Sequence, residues 1–176
     1  VQERLGQLLE RIAVELRTDP HPETVRAWFD EAVDLRNQVL GLAAGLEDLK
    51  MNRRWSIRVT TSDLHAVQAE VDACQIMSTR VLSLASDLRR ASTSKTDGSG
   101  ALPPAALSPL ADLIAATAVN LATDDPTRTI GKTAAHQAVR EAERTAQIAL
   151  IGGIVSHMEQ INQAKVDEEE AGHLPR

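Results

Sequence analysis

The sequence predicts an all-α protein, an elongated antiparallel bundle of about five helices, and three observations predict it. Apolar residues recur at three- and four-residue steps through most of the 176-residue chain. Aromatic residues make up only 2% of it, with no Tyr and one Phe, so the core has to be built from Leu, Ile, Val and Ala. Ala and Leu are strong helix formers, whereas sheets favour aromatic and β-branched side chains.

Leu5, Leu8, Leu9, Ile12 and Leu16 share one face of a first helix that ends in the segment Thr18 to Pro22. Pro22 suits the first position of a second helix, predicted over 22–50, and Glu23 in its first turn complements the helix dipole. There Trp28, Ala32, Leu35, Val39, Leu42, Leu46 and Leu49 alternate steps of four and three, the seam of a coiled coil. Gly41 and Gly45 lie off the seam, each at a cost of about 1 kcal/mol in helix propensity, which predicts a close helix neighbour on that flank.

Ser62 or Asp63 can cap a third helix over 62–91, with Leu64, Val67, Val71, Cys74, Met77, Val81, Leu84 and Leu88 on its seam. The small, polar stretch at about 91–102 is predicted to be a flexible loop. A fourth helix opens at Leu102 to Leu107 and runs to about Ala122, with a distortion or late start expected at Ser108 and Pro109. A fifth is predicted over 126–166. Its row Ala135, Ala138, Ala142, Thr145, Ala149, Gly152 and Ser156 is small enough for close packing, within the subunit or across an interface. The neighbouring row Ile148, Ile151, Val155 and Met158 is expected to face the core. The acidic tail, about 167–176, is expected to fray in solvent.

The whole chain is thus expected to be a single helical domain, 1–176. A formal net charge of −6 argues against general nucleic-acid binding. The single cysteine, Cys74, allows no internal disulfide and points to a reducing compartment. The most apolar run, Ile148 to Val155, is far shorter than the ~20 residues a membrane helix requires.

Gly131, Lys132 and Thr133 resemble the end of a phosphate-binding loop, but Pro126 stands where its first glycine belongs and no strand precedes it. His21, His65, His136, His157 and His173 are scattered and are read as surface residues. Asp30, Glu31, Asp34, Glu141 and Glu143 lack the spacing of a di-metal bundle, so no metal or cofactor is expected. No nucleophile or oxyanion arrangement is legible, and no enzyme is expected. One cluster stands out: Lys50, Arg53, Arg54 and Arg58 surround Trp55 between the second and third helices. It suits contact with anionic lipid or an acidic partner.

The order of these parts resembles the cytosolic half of the bacterial fusaric acid resistance and aromatic acid exporter family. The matching stretches are Leu46 to Lys50, the turn Asn52 to Trp55, Leu84 to Leu88, Leu102 to Leu107, and Asp125 with Pro126. The resemblance implies a membrane domain N-terminal to this soluble chain and a place on the cytoplasmic side of the cytoplasmic membrane. It also implies a bracing, assembly or regulatory role, and a homo-oligomer. A free-standing helical regulator or adaptor, or a sensor of small aromatic acids, is the alternative.

Overall fold

In a computed structural model the described residues are 1–52, 61–93, 102–123, 137–140 and 145–172. They form α1 (Gln2–Leu16), α2 (Pro22–Asn52), α3 (Thr61–Thr93), α4 (Pro104–Ala122) and α5 (Thr145–Gly172), with residues 137–140 also helical and no strand among them. The all-α bundle expected from the sequence is what is found. Residues 53–60, 94–101, 124–136, 141–144 and 173–176 lie outside the described residues, and with them most of the predicted flexible loop.

Side-chain pairs fix the directions. Arg4 with Gln38 (2.7 Å) and Arg11 with Glu31 (2.6 Å) run α1 and α2 antiparallel. Lys50 with Gln68, and Arg89 stacked on the Phe29 ring, do the same for α2 and α3. Arg17 with Asp112 (2.6 Å) and Gly6 against Ala118 set α4 antiparallel to α1. Asp87 with His157 (3.2 Å), together with Cys74 near Glu168, sets α5 antiparallel to α3, so α4 and α5 run parallel.

One continuous core lies inside, built from Leu8, Leu9, Ile12, Leu35, Met77, Leu84, Leu110, Ile114, Ile151 and Ile154 with Trp28 at one end. The Trp28 indole donates to Glu15 (2.6 Å), which couples the end of α1 to the start of α2. Between these helices Asp19 takes the left-handed conformation (φ 54), which a short polar side chain tolerates. Buried Thr117 on α4 accepts from Asn162 of α5 (3.3 Å) while its own hydroxyl donates to the Leu113 carbonyl, so this buried hydroxyl is satisfied both as donor and as acceptor.

Several expectations need correction. Pro109 neither delays nor breaks α4, which starts at Pro104 and runs through it. The lost hydrogen bond belongs to the carbonyl of Ala105, an exposed residue of the first turn, where water can satisfy it. Apolar and long enough to cross a membrane by composition, α4 is instead more than half buried against α1 and α5 as a core helix.

Nor does the acidic tail fray at 167: α5 continues to Gly172. Glu168 accepts from Gln2 (2.6 Å), and Lys165, itself nearly covered, stands 3.5 Å from both Glu168 and Glu169. Opposite charge three and four residues away, plus a partner from the other end of the chain, makes the helical tail favourable.

The described part of the small-residue row of the last helix does not form one buried face within the subunit. Ala138 is fully buried, but Ala149 and Gly152 are exposed, with open space around Gly152; Ala142 lies outside the described residues. The buried row is Ile151, Ile154, Met158, Ile161 and Ala164, while Val155 is only partly covered and Ile148 is exposed. Branched and long side chains win the core side because they remove more apolar surface from water than Ala or Gly. The close approach occurs elsewhere, at buried Gly6 of α1, whose Cβ position would lie 3.6 Å from the Ala118 carbonyl oxygen.

Gly41 and Gly45 likewise have nothing within 4 Å, so no helix among the described residues explains them. Gly41→Ala combined with Gly152→Ala therefore raises stability by about 1–2 kcal/mol, through helix propensity alone. Thermal unfolding followed by circular dichroism should show a Tm gain of about 2–8 °C; a loss would mean that these flanks are covered.

Candidate functional site

The predicted seam of α2 divides in two. Trp28, Ala32, Leu35 and Val39 are almost wholly buried, but Leu42 is 52% and Leu49 66% exposed, around a covered Leu46. The cause is a mismatch of helix lengths. Since Arg4 reaches Gln38, α1 begins level with about residue 40 of α2; since Asp87 meets His157, α5 ends level with about residue 72 of α3. Beyond those points α2 runs past α1 for roughly 18 Å at 1.5 Å per residue and α3 runs past α5, whose end is level with about residue 46 of α2, so among the described helices these two project as an arm.

On this arm Leu40, Leu42, Leu49 and Met51 of α2 and Val67 of α3 are exposed, and Leu64 and Val71 are half-buried between the two helices. At its base, where the arm leaves the body, carboxylates collect: Glu3 of α1 and Asp167, Glu168, Glu169 and Glu170 of α5. Lys50, the one described member of the basic cluster, is held on the arm by Glu47 (2.6 Å) and by Gln68 of α3. It thus clips the two helices together near their far end. Arg53, Arg54, Trp55 and Arg58 lie outside the described residues.

A second feature was not legible in the sequence. Phe29, Leu82, Ser83, Ser86, Asp87, Arg90 and His157 line an open groove of about 450 Å³ along the outer side of α3. Asp87 is its centre, accepting from Arg90 (2.7 Å) on its own helix and facing His157 Nε2 (3.2 Å) on α5, with the Arg89 guanidinium 3.8 Å above the Phe29 ring. His157, read from the sequence as a surface residue, is thus largely covered, at 16% side-chain exposure, whereas His21 and His65 are exposed; His136 and His173 lie outside the described residues. Arg36 and Arg80 keep a buried Nε that no hydrogen bond satisfies. Among the described residues no three His, Cys, Asp or Glu side chains converge as metal ligands.

Cys74 is buried beside α5, and burial first, then the negative charge of Glu168, pushes its thiol pKa up. The thiol form is favoured in the fold, so its contribution to stability is intact below the ordinary thiol range and declines as pH rises above it. A disulfide reagent at pH 8 should modify the native thiol at least about a hundredfold more slowly than the unfolded one. Equal rates would place Cys74 at the surface.

No family model, curated protein or solved structure matches the chain.

Proposed function

We propose that the chain is a non-enzymatic assembly and bracing domain that works by docking, on the cytosolic side of a membrane protein of the aromatic acid exporter kind. The observation that carries the docking role is the arm. An uncovered apolar seam on two helices that leave the body behind is costly in isolation, and exposed contiguous apolar surface of this kind is typical of interaction sites. The exporter setting rests on the resemblance of the sequence, and the basic residues at 50–58 suit an anionic surface or an acidic partner at the arm's far end.

Fractionation of the source cells tests the setting. The natural protein should sediment with the cytoplasmic membrane and its reading frame should encode membrane helices ahead of Val1. A reading frame that starts at Val1 and a protein wholly in the supernatant would reject it and favour a free-standing adaptor.

A second reading, a small-ligand sensor, is favoured by the groove at Asp87, which combines an aromatic ring, hydroxyls and charged groups. Calorimetry with millimolar aromatic acids would detect it; an absence of heat would remove it.

A further inference from the structure

Helix α1 sorts its charges by side. Arg4 and Arg11 turn to α2, where they meet Gln38 and Glu31, whereas Glu3 and Glu10, with Gln7 between them, turn to α4. There they form one wall of an open groove of about 720 Å³ between α1 and α4. Gly6 and Ala118 lie in its floor, and Ala115, Val119 and Ala122 form the other wall, which carries no charge. Because α1 and α4 are antiparallel, Glu3 is level with about Ala122 and Glu10 with about Ala115, so the groove is roughly 12 Å long, about two helical turns.

We infer that this groove takes an amphipathic helix of a partner protein. Its apolar face lies on Val119 and Ala122, and two Lys or Arg residues about seven positions apart, on one flank, stand opposite Glu3 and Glu10. The inference is independent of the arm that carries the docking role proposed above.

The charge of the groove selects this occupant. Neither Glu3 nor Glu10 is paired with a cation among the described residues; Glu3 accepts only from Gln7 (3.2 Å). The cations nearby are already taken, Arg17 by Asp112 (2.6 Å) and Lys165, which donates to Gln2 at the groove's end, by Glu168 and Glu169. Uncompensated carboxylates along one wall repel an anionic lipid surface or a carboxylate ligand and attract a basic one. A second copy of this chain brings its own excess of acid, net −6.

Shape narrows the choice further. A small polyamine would satisfy the two glutamates but leave Val119, 43% exposed, in water. A helix laid along the groove covers the apolar wall and neutralises the acidic one together, the mode in which an amphipathic helix enters a groove. The small side chains of Gly6, Ala115, Ala118 and Ala122 leave room for its backbone to come close.

Fluorescence anisotropy on the whole chain tests this. The probe is a labelled helical peptide of about 14 residues, Ala and Leu with lysines seven apart on one flank; it should bind with a Kd below about 100 μM that rises at least about tenfold in high salt. Glu3→Lys with Glu10→Lys should weaken binding at least about tenfold with an unchanged helical signal, because both side chains are exposed. Val119→Arg on the uncharged wall should weaken it as well, and a peptide with glutamates in place of the lysines should not bind. Leu42→Glu with Leu49→Glu should leave the Kd as it is. No binding of the lysine peptide, or binding indifferent to the charge reversal, would overturn the inference. Loss of binding in the Leu42 and Leu49 variant would also overturn it, by placing the helix on the arm, and the docking role would then stand. In sedimentation equilibrium, a wild-type dimer that Val119→Arg dissolves would give the groove to a second copy instead.

Discussion

Trp28→Ala lowers the unfolding free energy by about 3–5 kcal/mol, the range for removing a buried large aromatic side chain. The indole is 2% exposed at the junction of α1 and α2 and donates to Glu15. Its loss leaves a void against Leu16, Val25 and Leu88, residues that line a pocket with it, and a half-buried carboxylate without its donor. Against a typical total of about 5–15 kcal/mol the variant keeps little margin. Trp28→Phe separates the two contributions: most of the packing stays and the hydrogen bond goes, so about 1–2 kcal/mol is lost. Urea unfolding by circular dichroism measures both; equal, small losses would mean that this end of the core is loosely packed.

Lys165→Met costs about 2–3 kcal/mol, through charge and not through volume. At 12% side-chain exposure the ammonium group lies within 3.5 Å of Glu168 and Glu169, which are 16% and 17% exposed, and donates to Gln2. An exposed pair would be worth under about 1 kcal/mol; here removal of the cation leaves two mostly covered carboxylates without it, and breaking a covered pair costs more than the pair contributes. Urea unfolding measures the loss, and adding Glu168→Gln and Glu169→Gln to Lys165→Met should recover most of it, because the unbalanced charge is then gone. A loss unchanged in that triple variant would point to lost packing of the lysine stem.

How far the sequence discloses this molecule depends on which force shapes each part. Helix α1, the buried half of α2 and the second half of α3 follow from spacing, because Leu5, Leu8, Ile12, Leu35, Met77 and Leu84 sit at helical steps and all are buried. A periodic stripe reports that a face can be buried, not that a neighbour is long enough to bury it. Leu42 and Leu49 therefore looked like core: α1 has 15 residues and α2 has 31, and only the packed structure shows where the shorter helix stops. The tail failed for a related reason. Lys165 and Glu169 are visibly complementary, but Gln2, which completes their site, is at the other end of the chain. The groove at Asp87 needs His157, 70 residues away, and no local pattern couples them.

The hydrogen bond between Gln2 and Glu168 also has a topological consequence. The start of α1 and the closing turns of α5 meet at one pole, and the arm leaves from that same pole. A short peptide joining the two ends would close the chain into a circle with little loss, and a fresh opening at Thr18 to His21 would give a permuted protein with the same core. A protein fused to either end would stand beside the arm, so the opposite pole, with its Asp19 turn, is the position at which a label disturbs docking least.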